Sequence, residues 1–203
     1  NCAAYTNVDA CEHNVDLAYR VNAMGARNLA CASFEAGAKM VQISTDYVFS
    51  GEGVGDEDGS VRAYVENDRP GPINVYGKSK LAGEEMVAHN PRHLIFRTAW
   101  LFGEGANFVR TMLRLAKDHD SLTVVNDQWG NPTSTKELAR LIIDVMRRPE
   151  YGVFHATCEG VCTWYEFACE IFRVRGLETR VVPCTSAEYP RPAPRPRYSM
   201  LDN

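Results

Sequence analysis

The sequence predicts an α/β fold built on a parallel sheet, and two observations predict it. The first is an alternation of elements. Lys39-Met-Val-Gln-Ile-Ser-Thr45 is a short apolar run of strand length, residues 74–88 read as a helix, and His93-Leu-Ile-Phe-Arg-Thr-Ala-Trp100 reads as a second strand. The second is where the reactive side chains fall. The first strand delivers Ser44 and Thr45 to its carboxyl end, and the helix that follows carries Tyr76 and Lys80. Ligands of open α/β sheets bind in the crevice beyond the carboxyl ends of the strands, so these hydroxyls, the phenol and the amine are candidates for one site.

The helix carries the chemistry. Residues four apart lie on the same face, so Tyr76 and Lys80 present a phenol and an ammonium together. A nearby positive charge favours phenolate, which predicts a Tyr76 pKa below its ordinary value of about 10. Such a phenol can exchange a proton with a carbonyl or alcohol oxygen near neutral pH. Tyr and Lys at this spacing also occur on ordinary exposed helices, and it is Thr45 upstream that turns the pair into a candidate site.

With Ser44-Thr45-Asp46-Tyr47 followed by Tyr76-Gly-Lys-Ser-Lys80, the chain resembles the extended short-chain dehydrogenases/reductases. Within them it is most similar to the dTDP-4-dehydrorhamnose reductase family, the last step of dTDP-L-rhamnose synthesis. The resemblance implies a Rossmann-like doubly wound parallel sheet with a smaller α/β substrate-binding portion. Residues 1–100 would form the remainder of the dinucleotide-binding domain and 101–203 mainly the substrate-binding portion, the two interleaved. It implies NADPH or NADH as cofactor and a nucleotide sugar as substrate. Thr45, Tyr76 and Lys80 would be catalytic: Tyr76 protonates the oxygen at C4, Lys80 lowers its pKa and holds the ribose, and Thr45 hydrogen-bonds the reacting oxygen.

Further segments carry the same resemblance. Asn1-Cys-Ala-Ala-Tyr-Thr6 matches a strand end beneath the nicotinamide ribose, where Ala3, Ala4 and Thr6 would bind cofactor with Tyr76 and Lys80. Residues 8–37 read as a helical region, with Asp9 or Asn14 as possible caps and Gly37 as the stop. Within it Asn22 matches an N-x-x-G-x-x-N-L pattern; in related enzymes an Asn here supports a water or backbone link near the catalytic Lys, and of the two readings a packing role is preferred for Asn22. Residues 50–73, rich in Gly, Asp, Glu and Pro, predict a loop whose acidic part is Asp56-Glu-Asp-Gly59. Trp100 lies past the second strand, where the family sets an aromatic against the sugar, so Thr45, Asp46 and Trp100 are the substrate-binding candidates. Asn107 begins a helix on which it and Arg110 could reach a diphosphate, although a single helical Arg is more often solvated. Val124–Thr133 resembles the family's V-x-D-Q-x-G-x-P-T turn, ahead of a helix over 135–147. Gly152–His155 predicts a strand, and Thr163 caps a further helix. The tail, with Pro190, Pro192, Pro194 and Pro196, could be a polyproline ligand, but the family pattern makes it a fixed loop over the substrate site.

Composition excludes other classes. The 203 residues are 45% hydrophobic with a formal net charge of −4 at pH 7, which gives no basic signature for nucleic acid. No apolar run reaches the length of a membrane span. The seven cysteines are scattered and lack paired C-x-x-C spacing, so they predict buried thiols of a reducing cytoplasm and no metal site. A homodimer is compatible with all of this. The only glycine cluster that looks like a dinucleotide fingerprint, Gly51-Glu-Gly-Val-Gly55, runs into acidic residues instead of a helix. The expectation is therefore a chain cut at both ends of the family pattern, with the first βαβ units outside it.

Three rivals are weighed. Sugar-nucleotide dehydratases of the superfamily carry Asp-Glu after the Thr, and here Asp46 is followed by Tyr47, which cannot serve as the carboxylate base of an elimination. A non-catalytic reductase-like subunit, of the kind that regulates methionine adenosyltransferase, shares the core; Arg97-Thr-x-Trp100 and Asp127-Gln-x-Gly130 follow the reductase pattern instead. Another sugar-nucleotide reductase or epimerase is the remaining alternative.

Overall fold

A computed structural model describes residues 1–55 and 60–203; the acidic stretch 56–59 of the expected loop lies outside the described residues. The sheet has three parallel strands in the spatial order Met40–Thr45, His93–Thr98, Gly152–His155. Met40 stands opposite His93 and Thr45 opposite Thr98, so both neighbouring strands end level with one another. Asn1 extends the sheet on the free edge of Met40–Thr45: its amino group donates to the Val41 carbonyl, and its own carbonyl accepts from Ile43 N at 3.2 Å.

Both faces of this sheet are covered, which is why 94–98 reads as a buried run without alternation. On one face Met40 and Ile95 pack against Ala26 and Ala30 of the Ala26–Glu35 helix and Val87 of the Val75–Ala88 helix. On the other, Leu94 and Phe96 pack against Leu138 of the Thr135–Met146 helix. Each of the buried Leu, Ile, Val, Phe and Met side chains among these contributes about 1.5–3 kcal/mol. The strand Gly152–His155 and the helix Thr135–Met146 thus return to the first sheet from the second half of the chain. A second core forms where the parallel pair Ser121–Val125 and Arg180–Cys184 meets helices Phe108–Leu115 and Trp164–Arg175, around Met112, Val124, Ile171 and Phe172.

Several expectations change. The helical region 8–37 is not continuous: it breaks at Asn14 and contains a π turn over Arg20–Gly25. Its cap is Asn7, whose side chain accepts from Ala10 N at 3.1 Å, and neither Asp9 nor Asn14 caps through its side chain. Gly37 ends it in the left-handed conformation, φ 66°. The expected loop 50–73 contains a small antiparallel pair, Val54–Gly55 with Val61–Arg62. The Tyr64 hydroxyl accepts from Gly51 N and Gly53 N, both at 3.2 Å, and fastens this segment.

The proline-rich tail is fixed by backbone pairing. Trp129 N donates to Arg197 O, Ser199 N to Trp129 O, and Tyr64 N to Met200 O, all at 2.8–2.9 Å. It runs so close to Gly51 that a Cβ there would lie 2.3 Å from Pro196 Cβ. Among the described residues, all seven cysteines are free, no helix is long and apolar enough to cross a membrane, and no cluster of His, Cys, Asp and Glu is placed to hold a metal.

Candidate active site

The helix Val75–Ala88 is placed by almost every residue of its first turns. Asn74 caps it, accepting from Gly77 N at 2.8 Å while its amide donates to Pro194 O of the tail at 2.9 Å. Gly77 lies where the helix crosses the segment after Thr45, and any Cβ there would stand 2.1 Å from the Tyr47 carbonyl oxygen. The Ser79 hydroxyl donates to Tyr76 O at 2.8 Å and accepts from Asn22 Nδ2 at 2.9 Å. Asn22 sits in the π turn, and its side chain also accepts from Tyr5 N at 2.7 Å and donates to Tyr5 O at 3.1 Å. One buried amide therefore ties the Asn1–Thr6 segment to the helix that carries Tyr76 and Lys80. Gly83 permits the close approach, since a Cβ there would lie 2.3 Å from Asn22 O.

A cavity of about 610 Å³ opens at the carboxyl end of the sheet. It is lined by Ala4, Thr6, Thr45, Asp46, Tyr76, Lys80 and Trp100, seven of the eight site residues that the sequence singles out. Ala3 is the exception: it is exposed and outside the lining. Cys2, Ser44, Thr98 and Thr135 complete the polar wall. Thr98, read from the sequence only within Arg97-Thr-x-Trp100, is brought to this wall by its register opposite Thr45.

The electrostatics differ from the simple pair drawn from helical spacing. The Lys80 amine donates to the Ile43 carbonyl at 2.6 Å, and burial pulls its pKa down to about 8 against the opposing pull of Glu84 one turn away. The Tyr76 phenol is pushed up, not down, because burial outweighs the hydrogen bond to the Thr45 hydroxyl. In this structure it is Thr45, not Lys80, that draws the phenol toward ionisation. Asp46 Oδ1 accepts from Thr45 Oγ1 at 2.9 Å, and burial raises this carboxyl to about 6. Three buried polar atoms of the cavity have no partner: Ser44 Oγ, Asp46 Oδ2 and Thr98 Oγ1. Buried polar groups are normally paired, so this wall is built to receive a polar ligand. Below Lys80, Glu84 forms a buried two-pronged ion pair with Arg97, 2.7 Å at its shortest, locking the helix to the central strand.

A second cavity of about 380 Å³ lies beside the first, lined among others by Tyr47, Phe108, Trp164, Arg191 and Arg195. Tyr47 meets Tyr76 edge to face, with centroids 6.0 Å apart, so this aromatic pair has one ring in each cavity wall. Asp9 holds both arginines, Arg191 Nε at 3.0 Å and Arg195 Nη2 at 2.9 Å. Burial pushes the Asp9 pKa up, but the two guanidiniums outweigh it and keep the carboxyl below its ordinary value. Asn107 and Arg110 do not line either cavity. Asn107 caps its helix, and Arg110 Nε donates to Gly103 O at 3.1 Å. The arginines facing a cavity come from the tail, nearly the full chain length from their partner Asp9.

Known proteins share this sequence pattern and fold. The family model of the RmlD substrate binding domain matches residues 1–203. The dTDP-4-dehydrorhamnose reductase of Mycobacterium tuberculosis is 44% identical over 208 residues, covering all of this chain and 67% of that protein. The crystal structure of a dTDP-4-dehydrorhamnose reductase from Clostridium acetobutylicum superposes with a TM-score of 0.95 at 53% identity, over the whole chain and 70% of its own. That of dTDP-4-dehydrorhamnose reductase from Bacillus anthracis, in complex with NADP, gives 0.93 at 44% identity with the same coverage.

Proposed function

This chain belongs to the family of the RmlD substrate binding domain, and on that premise we propose that it reduces the C4 carbonyl of dTDP-4-dehydro-L-rhamnose to the alcohol of dTDP-L-rhamnose. The observation that carries the reading is the convergence of Thr45, Tyr76 and Lys80 on one cavity whose remaining wall includes Asp46 and Trp100.

The residues present suit a nicotinamide cofactor. Ala4 is small enough for close approach, Thr6 offers a hydroxyl, and Lys80 offers a buried amine at the same wall. These residues, with Tyr76, would hold the ribose and nicotinamide of NADPH or NADH, which supplies the hydride to C4. The chain's own part is the proton. Burial keeps the Tyr76 phenol protonated at neutral pH, the state that a general acid needs to protonate the oxygen of a carbonyl being reduced. Thr45 sits beside that phenol and can hydrogen-bond the same oxygen. Carbonyl, hydride and phenolic proton together give the alcohol. Trp100 faces the sugar, and the second cavity, with Arg191 and Arg195, has the charge to take the diphosphate, since guanidinium forks match phosphate oxygens.

The reading extends to the division of labour, residues 1–100 mainly binding cofactor and 101–203 mainly substrate. It also extends to a cytoplasmic location, which seven free cysteines favour, and to a homodimer, which light scattering tests. The decisive experiment is Tyr76→Phe. Loss of the acid should lower kcat by about a hundred- to ten-thousand-fold while NADPH affinity holds. Retention of more than half of the wild-type kcat would remove Tyr76 from the mechanism.

A further inference from the structure

Trp100 is the one non-glycine residue with positive φ among the described residues, at 46°. A bulky side chain in the left-handed region is strained by about 1 kcal/mol or more and stays there only when its surroundings hold it. Three contacts do so. Thr133 N donates to Trp100 O at 3.2 Å. The Trp100 indole lies flat on Trp164, with centroids 3.6 Å apart and planes 9° from parallel. Its edge rests on bare backbone at Gly130, where a Cβ would come within 2.5 Å of Cε2 and 2.7 Å of Nε1.

The ladder that pairs Trp129–Gly130 with Cys162–Thr163 brings Gly130 and Trp164 to the same indole from two sides. Phe108 backs Trp164 from behind, with centroids 4.5 Å apart. Trp100 belongs to the wall of the Thr45 and Tyr76 cavity, and Trp164 to the wall of the Arg191 and Arg195 cavity. The stacked indoles therefore stand between the two chambers that a nucleotide sugar has to occupy together.

We propose that Gly130 and Trp164 are positioning residues for the reduction: they clamp Trp100 in its strained conformation, so that its indole fixes the hexose against Thr45 and Tyr76. This rests on the function proposed above. Gly130 is needed because any side chain would displace the ring. Trp164 supplies the flat face against which the ring is registered. The strain is stored in advance, so the platform does not have to be ordered when substrate arrives.

The test is Gly130→Ala and Trp164→Leu, with Trp164→Phe as the conservative partner and Trp100→Ala as background. KM and kcat for dTDP-4-dehydro-L-rhamnose, KM for NADPH, and the far-ultraviolet circular dichroism couplet of stacked indoles are measured. Gly130→Ala should abolish the couplet and lower kcat/KM for the sugar nucleotide about ten- to a hundredfold, since an ångström of misplacement can cost about a hundredfold. KM for NADPH should stay within about twofold, because the lost interaction is with the sugar alone. In the Trp100→Ala background the same change should add less than about twofold, the mark of action through that ring. Trp164→Phe should recover most of what Trp164→Leu loses, and the Trp164 pair carries the test if Gly130→Ala does not fold. The proposal is overturned if Gly130→Ala keeps its full effect without Trp100, if the sugar and NADPH constants rise together, or if the couplet vanishes with sugar kinetics unchanged. A full-length wild-type protein that does not turn over the sugar nucleotide overturns the function itself, and the proposal with it; normal full-length wild-type turnover alongside unaffected variants overturns the clamp alone.

Discussion

Replacing Asp46 by asparagine should stabilise the unliganded protein at neutral pH and leave it unchanged in acid. The carboxyl is 3% exposed, its Oδ1 accepts from Thr45, and its Oδ2 has no partner. Burial raises its pKa from 3.8 to about 6, only partly offset by the nearby Ser199 and Thr45 hydroxyls and the neighbouring backbone. A carboxyl whose folded pKa lies above its unfolded one binds an extra proton in the native state. Its contribution is therefore fully present below about pH 4 and is lost as pH rises through about 6. The rise corresponds to roughly 3 kcal/mol at ~1.4 kcal/mol per pH unit, which the ionised carboxylate costs the fold at pH 7 and above. Asparagine keeps an acceptor for Thr45 and carries no charge, but its amide takes the partnerless place of Oδ2, so a gain of about 1–3 kcal/mol is expected. Urea unfolding of both proteins at about pH 4 and about pH 7.5 measures it, and the gain should be confined to the higher pH. An equal difference at both pH values, or a loss at the higher one, would show that the carboxylate is compensated in the fold and refute the reasoning.

Three further outcomes follow from the same geometry. Because Lys80 titrates near 8, its ammonium is lost as pH rises through that value; KM for NADPH should climb above about pH 8 in the wild type, and Lys80→Met should show a weaker, pH-independent affinity. A Lys80→Met enzyme that retains the climb would separate Lys80 from the cofactor. Gly77→Ala forces a Cβ against the Tyr47 carbonyl and should cost about 1–3 kcal/mol or more, whereas Gly25→Ala, with its nearest atom at 3.6 Å, should be close to neutral; thermal unfolding of the two variants compares them, and equal behaviour would contradict the packing. Glu84→Gln leaves the Arg97 guanidinium buried without its carboxylate and should cost about 3–5 kcal/mol, against almost nothing for Glu137→Gln in the exposed pair with Arg140, as read by urea midpoints.

What the sequence made legible was local. Strand-length apolar runs, the Thr163 cap and the stop at Gly37 follow from chemistry within a few residues, and all are present. The π turn over Arg20–Gly25 was hidden because the apolar spacing of 8–37 does not break there; within it Asn22 bonds to Tyr5 and to Ser79, the latter 57 residues away. Tyr76 and Lys80 were found by spacing, yet spacing misjudged their electrostatics, since the Ile43 carbonyl that takes the amine lies 37 residues upstream. Arg191 and Arg195 were invisible as site residues, because what fastens them to the second cavity is Asp9, 182 and 186 residues away.

The departures from ordinary folding rules are not scattered. Buried amides elsewhere are satisfied: Asn22, Asn74 and Asn90 each bond through both ends of the side chain. Of the four buried side-chain polar atoms without a partner among the described residues, three line the Tyr76 cavity, and the fourth, His155 Nε2, lies on a ring that burial keeps neutral. The same cavity holds a buried amine depressed to about 8, a carboxyl raised to about 6 and the strained backbone of Trp100. Each of these costs stability in the unliganded chain, and each is what a site needs in order to meet a polar ligand with pre-set donors and acceptors. Selection for folding alone would favour a threonine-to-valine or aspartate-to-asparagine change at such a wall. Their concentration in one chamber is therefore an argument for function that does not depend on resemblance to any other protein.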